Sequence, residues 1–225
     1  MPMKLQEKIN KSKDIIKEAA DRYKNKNLTI AWTGGKDSTI MLHMVKSVFG
    51  KIPFPVMFND STLEFPEIYE FIDKLVKDWN LNIIRVVHLK EDLEQFHRTR
   101  DMEKKKELSR IMKINAIRWA TKKYHVAAYM AAIRWDEHES RSKETYFSKR
   151  ETHERVHPVL HFTEQDIWSY TKRFKVPYVS LYDKGYRSLG EAPFTKPAKK
   201  GEGERSGREY DKEKVMKQLR DLGYW

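Results

Sequence analysis

Short apolar runs and amphipathic stretches alternate along the first two thirds of the chain. Four apolar runs are typical of short buried strands, at residues 27–32, 55–58, 83–89 and 125–130. Between the first two runs, apolar residues recur at helical spacing from Lys36 to Phe49, and Pro66 opens a second amphipathic stretch. Strands that alternate with helices predict an α/β fold with a five-stranded, mainly parallel sheet and helices on both faces.

The remaining segments are less regular. The pattern predicts an N-terminal helix over 5–23, a polar stretch over 90–107 and a helix over 109–123. Thr163-Glu-Gln-Asp fits a capping box, and the helix that it opens should end before Pro177. The last third is predicted as a loop over 181–197, a mobile Lys/Gly/Glu/Arg-rich segment over 198–208, and a final helix capped by Asp211.

No composition break divides the chain, so we predict one domain over residues 1–225. It consists of an N-terminal helix in 1–26, an α/β core over 27–175, and a C-terminal loop and helix extension over 176–225. No apolar run approaches the roughly 20 residues that span a bilayer, and the first residues lack the apolar stretch of a secretory signal. We therefore expect a cytoplasmic protein that does not enter a membrane.

Net charge and cysteine content limit the partners and the catalytic groups that the chain can have. Lys and Arg number 45 against 33 Asp and Glu, a formal net charge of +12, which favours a negatively charged partner such as a nucleotide, nucleic acid or acidic lipid. The 225 residues include no cysteine. Disulfides, Cys-ligated zinc, iron–sulfur clusters and a thiol nucleophile are therefore excluded.

The strongest motif lies where the first predicted strand meets the first predicted helix of the core. It comprises Thr33, Gly34, Gly35, Lys36, Asp37, Ser38 and Thr39. Backbone N–H groups and the helix dipole at such a junction point toward an incoming anion, and glycines let the backbone approach phosphate oxygens closely. Lys36 adds a positive charge and the hydroxyls add donors. The glycine spacing differs from that of a Walker A loop.

This motif resembles the Ser-Gly-Gly-x-Asp-Ser pyrophosphate loop of the ATP pyrophosphatase superfamily, with Thr33 in place of serine. Further blocks resemble the phosphoadenylylsulfate (PAPS) reductase family, at residues 58–67, 132–144, 157–160, 166–168 and 181–190. Two segments of the C-terminal tail, 204–208 and 223–225, resemble the small subunit of sulfate adenylyltransferase. The chain is identified as a member of this family over residues 27–225.

The resemblance implies a Rossmann-like adenine nucleotide alpha hydrolase (HUP-type) fold and a nucleotidyltransferase. In that family the loop holds pyrophosphate while an acceptor attacks the α-phosphate of ATP and is adenylylated. The implied substrate is ATP, with Mg²⁺, and the implied acceptor is a small oxyanion such as sulfate. A GTPase partner subunit or a homo-oligomer is also implied, and nucleic acid stays open as a partner.

The resemblance assigns site residues as well. The expected catalytic residues are Lys36, Asp37, Arg134 and Arg141. The expected nucleotide-binding residues are Thr33, Gly34, Gly35, Lys36, Asp37, Ser38, Thr39, Asp60, Ser61, Thr62, Arg134, Asp136, Glu137 and Arg187. Arginine forks match phosphate and sulfate oxygens. No metal ligands are assigned.

Departures from the family pattern leave three further functions open. Residues 190–195 read Gly-Glu-Ala-Pro-Phe-Thr where cysteine-bearing members read Gly-Cys-x-x-Cys-Thr, so the usual thiolate of the reductases is absent. Ala132 replaces a glycine, and Trp135 replaces an arginine and could offer a stacking surface. The three functions are those of a cysteine-free sulfonucleotide reductase-like protein, an FMN adenylyltransferase-like enzyme, and a nucleic-acid-modifying protein with a basic surface over 98–106 and 196–208.

Overall fold

The computed structural model describes residues 3–208. Within them, six strands form one sheet: β1 Asn27–Ala31, β2 Val56–Asp60, β3 Ile83–Val87, β4 Val126–Met130, β5 Phe147–Lys149 and β6 Glu154–Val156. Their order in the sheet is β3-β2-β1-β4-β6-β5, and all neighbours are parallel except β5 and β6. The α/β class and the mainly parallel sheet are confirmed.

The predicted strand number of five is wrong, because the described residues form six. The additional pair is the hairpin of β5 and β6, and each of these strands has three residues. A three-residue strand is too short to show the alternation that distinguishes a strand in a sequence.

Six α-helices accompany the sheet in the described residues: α1 Leu5–Arg22, α2 Lys36–Phe49, α3 Pro66–Asp78, α4 Lys90–Arg98, α5 Met102–Lys123 and α6 Glu164–Phe174. The polar stretch over 90–107, to which the pattern assigned no element, forms α4 and the first turns of α5. Among the nine residues of α4 only Leu93 and Phe96 are apolar, and only Phe96 is buried, so the helix is too short and too polar to show a helical period in the sequence. Asp101 caps α5 by accepting a hydrogen bond from the Lys104 N–H at 2.8 Å.

The capping box that opens α6 is confirmed. The Asp166 N–H donates to Thr163 Oγ1 at 3.2 Å, and the Thr163 N–H donates back to the Asp166 carboxylate at 2.8 Å. The helix ends at Phe174, before Pro177, as predicted. The predicted cap at Asp211 and the 223–225 block lie outside the described residues.

The segment after α6 runs through short turns. Two 3₁₀ turns, Ser180–Lys184 and Ala192–Phe194, fall in or beside the predicted 181–197 loop. Residues 198–208, expected to be mobile, are held by contacts: the Lys196 N–H donates to the Gly207 carbonyl at 2.9 Å, and Arg208 forms a β-bridge with Thr195. The C-terminal extension is thereby brought back to the core.

The sheet order places β1 between β2 and β4, which are reached by chain connections running in opposite directions from β1. Such a switch point opens a crevice at the carboxyl ends of the strands, where ligands bind in open α/β sheets. The anion-binding motif follows β1 directly. In residues 3–208, no helix is both long and apolar enough to cross a membrane.

Candidate functional site

The loop between β1 and α2 is held in shape by its own side chains. Gly34 has a φ of +74°, and a Cβ there would lie 3.2 Å from Ile68 Cγ2, so the position favours glycine for two separate reasons. Thr33 Oγ1 accepts from the Gly35 N–H at 3.3 Å, and Ser38 Oγ donates to the Gly35 carbonyl at 3.0 Å. The loop therefore enters α2 in a fixed conformation.

A cavity of about 250 Å³ opens at the carboxyl ends of β1, β2 and β4. Its wall on the loop side consists of Thr33, Gly35, Lys36, Asp37 and Ser38. The end of β2, the segment after β4 and helix α5 contribute the opposite side, with Asn59, Ala131, Ala132, Ile133, Lys113 and Ile117. Four arginines also line the cavity: Arg141, Arg155, Arg205 and Arg208. The site therefore combines apolar strand ends with a strongly basic wall.

Lys36 lies at the base of the cavity and is 2% exposed. Its Nζ donates to the Arg187 carbonyl at 2.8 Å, lies 3.2 Å from Asp37 Oδ2, and forms an ion pair with Glu204. Burial opposes the charged form, but the carboxylates of Asp37 and Glu204 outweigh it and raise the pKa of Lys36. The backbone N–H of Lys36 donates to Tyr182 Oη at 2.9 Å.

Arg134 is fully buried beside Lys36. Its Nε lies 2.6 Å from Asp37 Oδ1 at an angle outside hydrogen-bond geometry, and its other nitrogens pair with Asp136 at 2.8 Å and with Glu204. Burial opposes the charge of Arg134, but Asp37 and Glu204 prevail and raise its pKa. We call Lys36, Asp37, Arg134, Asp136 and Glu204 the inner ion cluster.

A second group of charges lies on the adjacent wall. Glu137 pairs with Arg141 and accepts from Arg205 Nη1 at 2.7 Å. Burial raises the pKa of Glu137, but the two guanidinium groups outweigh it and hold that pKa well below its usual range. Arg205 joins this pair from the C-terminal extension, 68 residues after Glu137.

Several of the predicted site residues hold the loop and its neighbours in place. Thr39 accepts from the Trp32 indole N–H at 3.0 Å, which fixes the first turn of α2. Asp136 accepts from the Glu164 N–H at 3.0 Å, at the beginning of α6. Arg187 pairs with the Glu164 side chain and donates to the Glu202 carbonyl at 2.7 Å. These residues surround the cavity without lining it.

The predicted residues at the end of β2 and directly after it, Asp60, Ser61 and Thr62, do not line the cavity. Asp60 accepts from the Thr62 N–H at 2.9 Å and from the Tyr69 hydroxyl at 2.8 Å, and Ser61 Oγ donates to Glu64 at 2.9 Å. Thr62 is exposed, with a φ of +62°. These contacts form a turn, and the neighbouring Asn59 and Glu64 reach the cavity instead.

Trp135, considered as a stacking surface, also lies outside the cavity wall. Its indole N–H donates to the Glu144 carbonyl at 2.9 Å, and its ring packs against Tyr146 with centroids 5.7 Å apart. Ala132, the replacement for the family glycine, does line the cavity.

Several residues that the structure brings to the site were not assigned from the sequence. Glu204, Arg205 and Arg208 lie in the block that resembles the small subunit of sulfate adenylyltransferase, so a signal for them existed. Tyr182 and Glu64 likewise lie within matched blocks.

Lys113 carried no sequence signal. Its Nζ lies 2.9 Å from Glu191, which also accepts from Ser109 Oγ at 2.6 Å. In the family resemblance described above, Glu191 corresponds to the first cysteine of the cysteine-bearing members. This buried carboxylate anchors the loop after Gly190 to helix α5.

Comparison with known proteins identifies the family of this chain. Residues 27–197 match the family described as Phosphoadenosine phosphosulfate reductase domain. The chain is 31% identical to sulfate adenylyltransferase subunit 2 from Azotobacter vinelandii, covering 79% of this chain and 66% of that protein. It is 32% identical to the protein of the same name from Parabacteroides distasonis, covering 79% and 67%. The chain thus spans about two thirds of the length of these curated relatives.

Solved structures are similar in fold. Phosphoadenylyl-sulfate (PAPS) reductase from Candida auris, in a phosphate complex, gives a TM-score of 0.69 at 18% identity over 81% of this chain and 88% of that one. FMN adenylyltransferase from Candida glabrata, with FMN and the ATP analogue AMPCPP, gives 0.68 at 20% identity over 88% and 68%. At these identities the likeness concerns the fold alone.

Proposed function

The chain belongs to the phosphoadenosine phosphosulfate reductase domain family, and we propose that it cleaves ATP between the α- and β-phosphates and transfers AMP to a small oxyanion such as sulfate. One observation carries the proposal: the loop from Thr33 to Ser38 opens, at the switch point of the sheet, into a cavity lined by four arginines. The curated relatives named sulfate adenylyltransferase subunit 2 support the choice of reaction.

The proposed reaction is a nucleotidyl transfer. An acceptor oxygen forms a bond to the α-phosphorus, the bond from that phosphorus to the oxygen bridging to the β-phosphate breaks, and pyrophosphate leaves with the electron pair. This chemistry depends on positioning and on neutralising negative charge, because no side chain needs to form a covalent intermediate. The loop N–H groups and Lys36 would hold the pyrophosphate, and Arg141 would orient the acceptor.

Reduction of a sulfonucleotide is disfavoured as the function of this chain. That reaction uses a cysteine thiolate, and the sequence contains no cysteine. At the first cysteine position the chain has Glu191, whose carboxylate is engaged with Lys113 and Ser109. The position therefore supports loop packing, and a nucleophile would have to be supplied by another molecule.

FMN and nucleic acid are the two alternative acceptors. The likeness to FMN adenylyltransferase supports the fold, but Trp135 lies outside the cavity wall and offers no stacking surface for an isoalloxazine ring there. A nucleic-acid substrate would use the basic charge outside the cavity. The mass of the adenylylated product distinguishes both acceptors from an inorganic oxyanion.

Mg²⁺ does not fit this site as a metal held by the protein. The carboxylates of Asp37 and Asp136 face Lys36 and Arg134, and Glu137 faces Arg141. Among the described residues there is no group of three or more His, Asp or Glu side chains arranged for a metal ion. If the reaction requires Mg²⁺, we propose that the nucleotide and not the protein would supply its ligands.

The name of the relatives also bears on assembly. Because they are called subunit 2 of an adenylyltransferase, we propose that this chain works with a partner subunit. The family resemblance favours a GTPase in that role. Purification of the tagged chain from its own cells, followed by mass spectrometry of the co-purifying proteins, tests this part of the proposal.

The reaction is tested by incubating the chain with α-labelled ATP, Mg²⁺ and one acceptor at a time: sulfate, FMN or RNA. We expect labelled adenylyl sulfate and free pyrophosphate, with the partner subunit added if the chain alone is inactive. A Lys36→Ala, Asp37→Ala double variant should lose ATP binding in calorimetry. Equal ATP binding by the variant and the wild type would contradict the proposal. Formation of labelled FAD or labelled RNA would show that FMN or RNA, and not sulfate, is the acceptor.

A further inference from the structure

The Lys36 ammonium makes three close contacts inside the protein. An ammonium has three N–H donors, and here they face the Glu204 carboxylate, the Arg187 carbonyl and Asp37 Oδ2. The side chain is 1% exposed, so water does not compete for these donors. A phosphate oxygen can therefore bind Lys36 only if one of these acceptors leaves.

Two of these acceptors, Glu204 and Asp37, carry a negative charge, and each contacts both Lys36 and Arg134. In the inner ion cluster, two cations, Lys36 and Arg134, face three carboxylates, and Glu204 touches both cations. The carboxylates of the cluster thus outnumber its cations by one. Withdrawal of one carboxylate would leave two cations facing two carboxylates, which favours the binding of a phosphate to those cations.

The other two carboxylates are less able to withdraw. Asp37 lies in the first turn of α2, and Asp136 also accepts from the Glu164 N–H at 3.0 Å. Glu204 comes instead from the C-terminal extension, between Gly203 and Gly207. A Cβ added at Gly201 or Gly203 would meet no atom within 4 Å, so the backbone there has open space.

From this geometry we infer that the Glu204 carboxylate occupies the place of a nucleotide phosphate on Lys36 and Arg134, and is exchanged for that phosphate when ATP binds. The inference rests on the proposed function. It assigns Glu204 as an internal competitor of the substrate, carried on a segment that also brings Arg205 and Arg208 to the cavity.

Exchange, and not simple opening, follows from the burial of the two cations. Arg134 is fully buried and Lys36 nearly so, and a buried cation that loses one of its carboxylates is destabilised unless another anion takes its place. A phosphate supplies that anion. The segment over 198–208 therefore moves away from Lys36 only when an anionic ligand binds at the loop over 33–38, and it keeps its contacts without one.

The first test compares Glu204→Gln with Glu202→Gln in the full chain. Glutamine keeps the shape of the side chain and removes its charge; Glu202 lies two residues away, is about half exposed, and has Lys199 at 3.8 Å as its ion-pair partner. By calorimetry, we expect Glu204→Gln to lower the Kd of ATP and of pyrophosphate by about tenfold, the effect of removing one nearby like charge. Glu202→Gln should leave both values unchanged. An unchanged or higher Kd for Glu204→Gln overturns the inference.

The second test needs no variant and no catalysis. Lys199 and Lys200 are exposed trypsin sites at the beginning of the segment. We expect pyrophosphate to accelerate trypsin cleavage of the wild type at these sites, and Glu204→Gln to be cleaved faster than Glu202→Gln without any ligand. Equal rates would show that Glu204 does not hold the segment. If the wild type binds no ATP, the proposed function fails, while the unliganded cleavage rates still decide the role of Glu204.

Discussion

Asp37 Oδ1 lies 2.6 Å from Arg134 Nε, which joins the first turn of α2 to the segment after β4. Arg134 is fully buried and faces Asp136 and Glu204 as well. Replacing Arg134 by Met should leave these carboxylates without their shared counter-ion, and we expect the free energy of unfolding to fall by about 3–5 kcal/mol. Urea denaturation of the full chain measures this loss.

The matched control is Arg187→Met. Its pair with Glu164 is partly exposed, with the Arg187 side chain at 41%, so we expect a loss of less than about 1 kcal/mol. Similar losses for the two variants would mean that the buried cluster is no more important for stability than a surface ion pair.

The buried pair of Lys113 and Glu191 predicts that a second substitution restores part of the stability that the first one removes. Lys113→Met should destabilise the chain by about 3 kcal/mol, because Glu191 is 1% exposed and would lose a counter-ion. The double variant Lys113→Met, Glu191→Leu should recover part of that loss, since neither charge of the pair is then left buried without the other. A double-mutant cycle in urea measures the coupling between the two residues, and strictly additive losses would contradict it.

Sequence patterns predicted the elements that have a long apolar period. The bounds of α2 were predicted as Lys36 to Phe49 and are found there, because its apolar face is regular and Gly50 ends the helix with a φ of +73°. Helix α4 was missed because it buries Phe96 alone. The hairpin of β5 and β6 was missed because each strand has three residues.

The candidate site divides in the same way. The loop over 33–39 and the block over 132–144 could be located from local sequence, since each is contiguous. The contact of Lys36 with Glu204 joins residues 168 positions apart, and that of Ser109 with Glu191 joins residues 82 apart. Only the fold brings such pairs together, and a Lys/Gly/Glu/Arg-rich segment gives no periodic signal that it will return to the core.

A pH dependence of stability follows from His157. Burial lowers the pKa of His157 to about 3, although its contacts with the Ala131 carbonyl and Glu144 oppose the shift. The native state therefore keeps this histidine neutral, whereas the unfolded chain takes up a proton below its ordinary pKa of about 6.5. From about pH 6.5 down to 4, this group should reduce the free energy of unfolding by up to about 1.4 kcal/mol per pH unit.

Replacing His157 by Gln should make the pH dependence shallower over that range. His97, which is exposed, provides the control: His97→Gln should keep the slope of the wild type. Urea denaturation at half-unit steps of pH measures the three slopes. A His157→Gln slope as steep as that of the wild type would assign the acid sensitivity to other groups.

The loop glycine offers a last prediction that separates shape from function. Gly34 and Gly50 have nearly equal φ angles, +74° and +73°, so a Cβ at either position meets the same backbone strain of about 1 kcal/mol. Only at Gly34 would that Cβ also press against Ile68 Cγ2 at 3.2 Å; at Gly50 it would meet nothing within 4 Å. Gly34→Ala should therefore reduce the free energy of unfolding more than Gly50→Ala does. Gly34→Ala alone should weaken ATP binding, because the loop must shift away from α3 and its N–H groups then no longer point at the phosphates. Urea denaturation and calorimetry on the two variants separate these effects. Equal ATP binding by both variants would show that the loop conformation is not what holds the nucleotide.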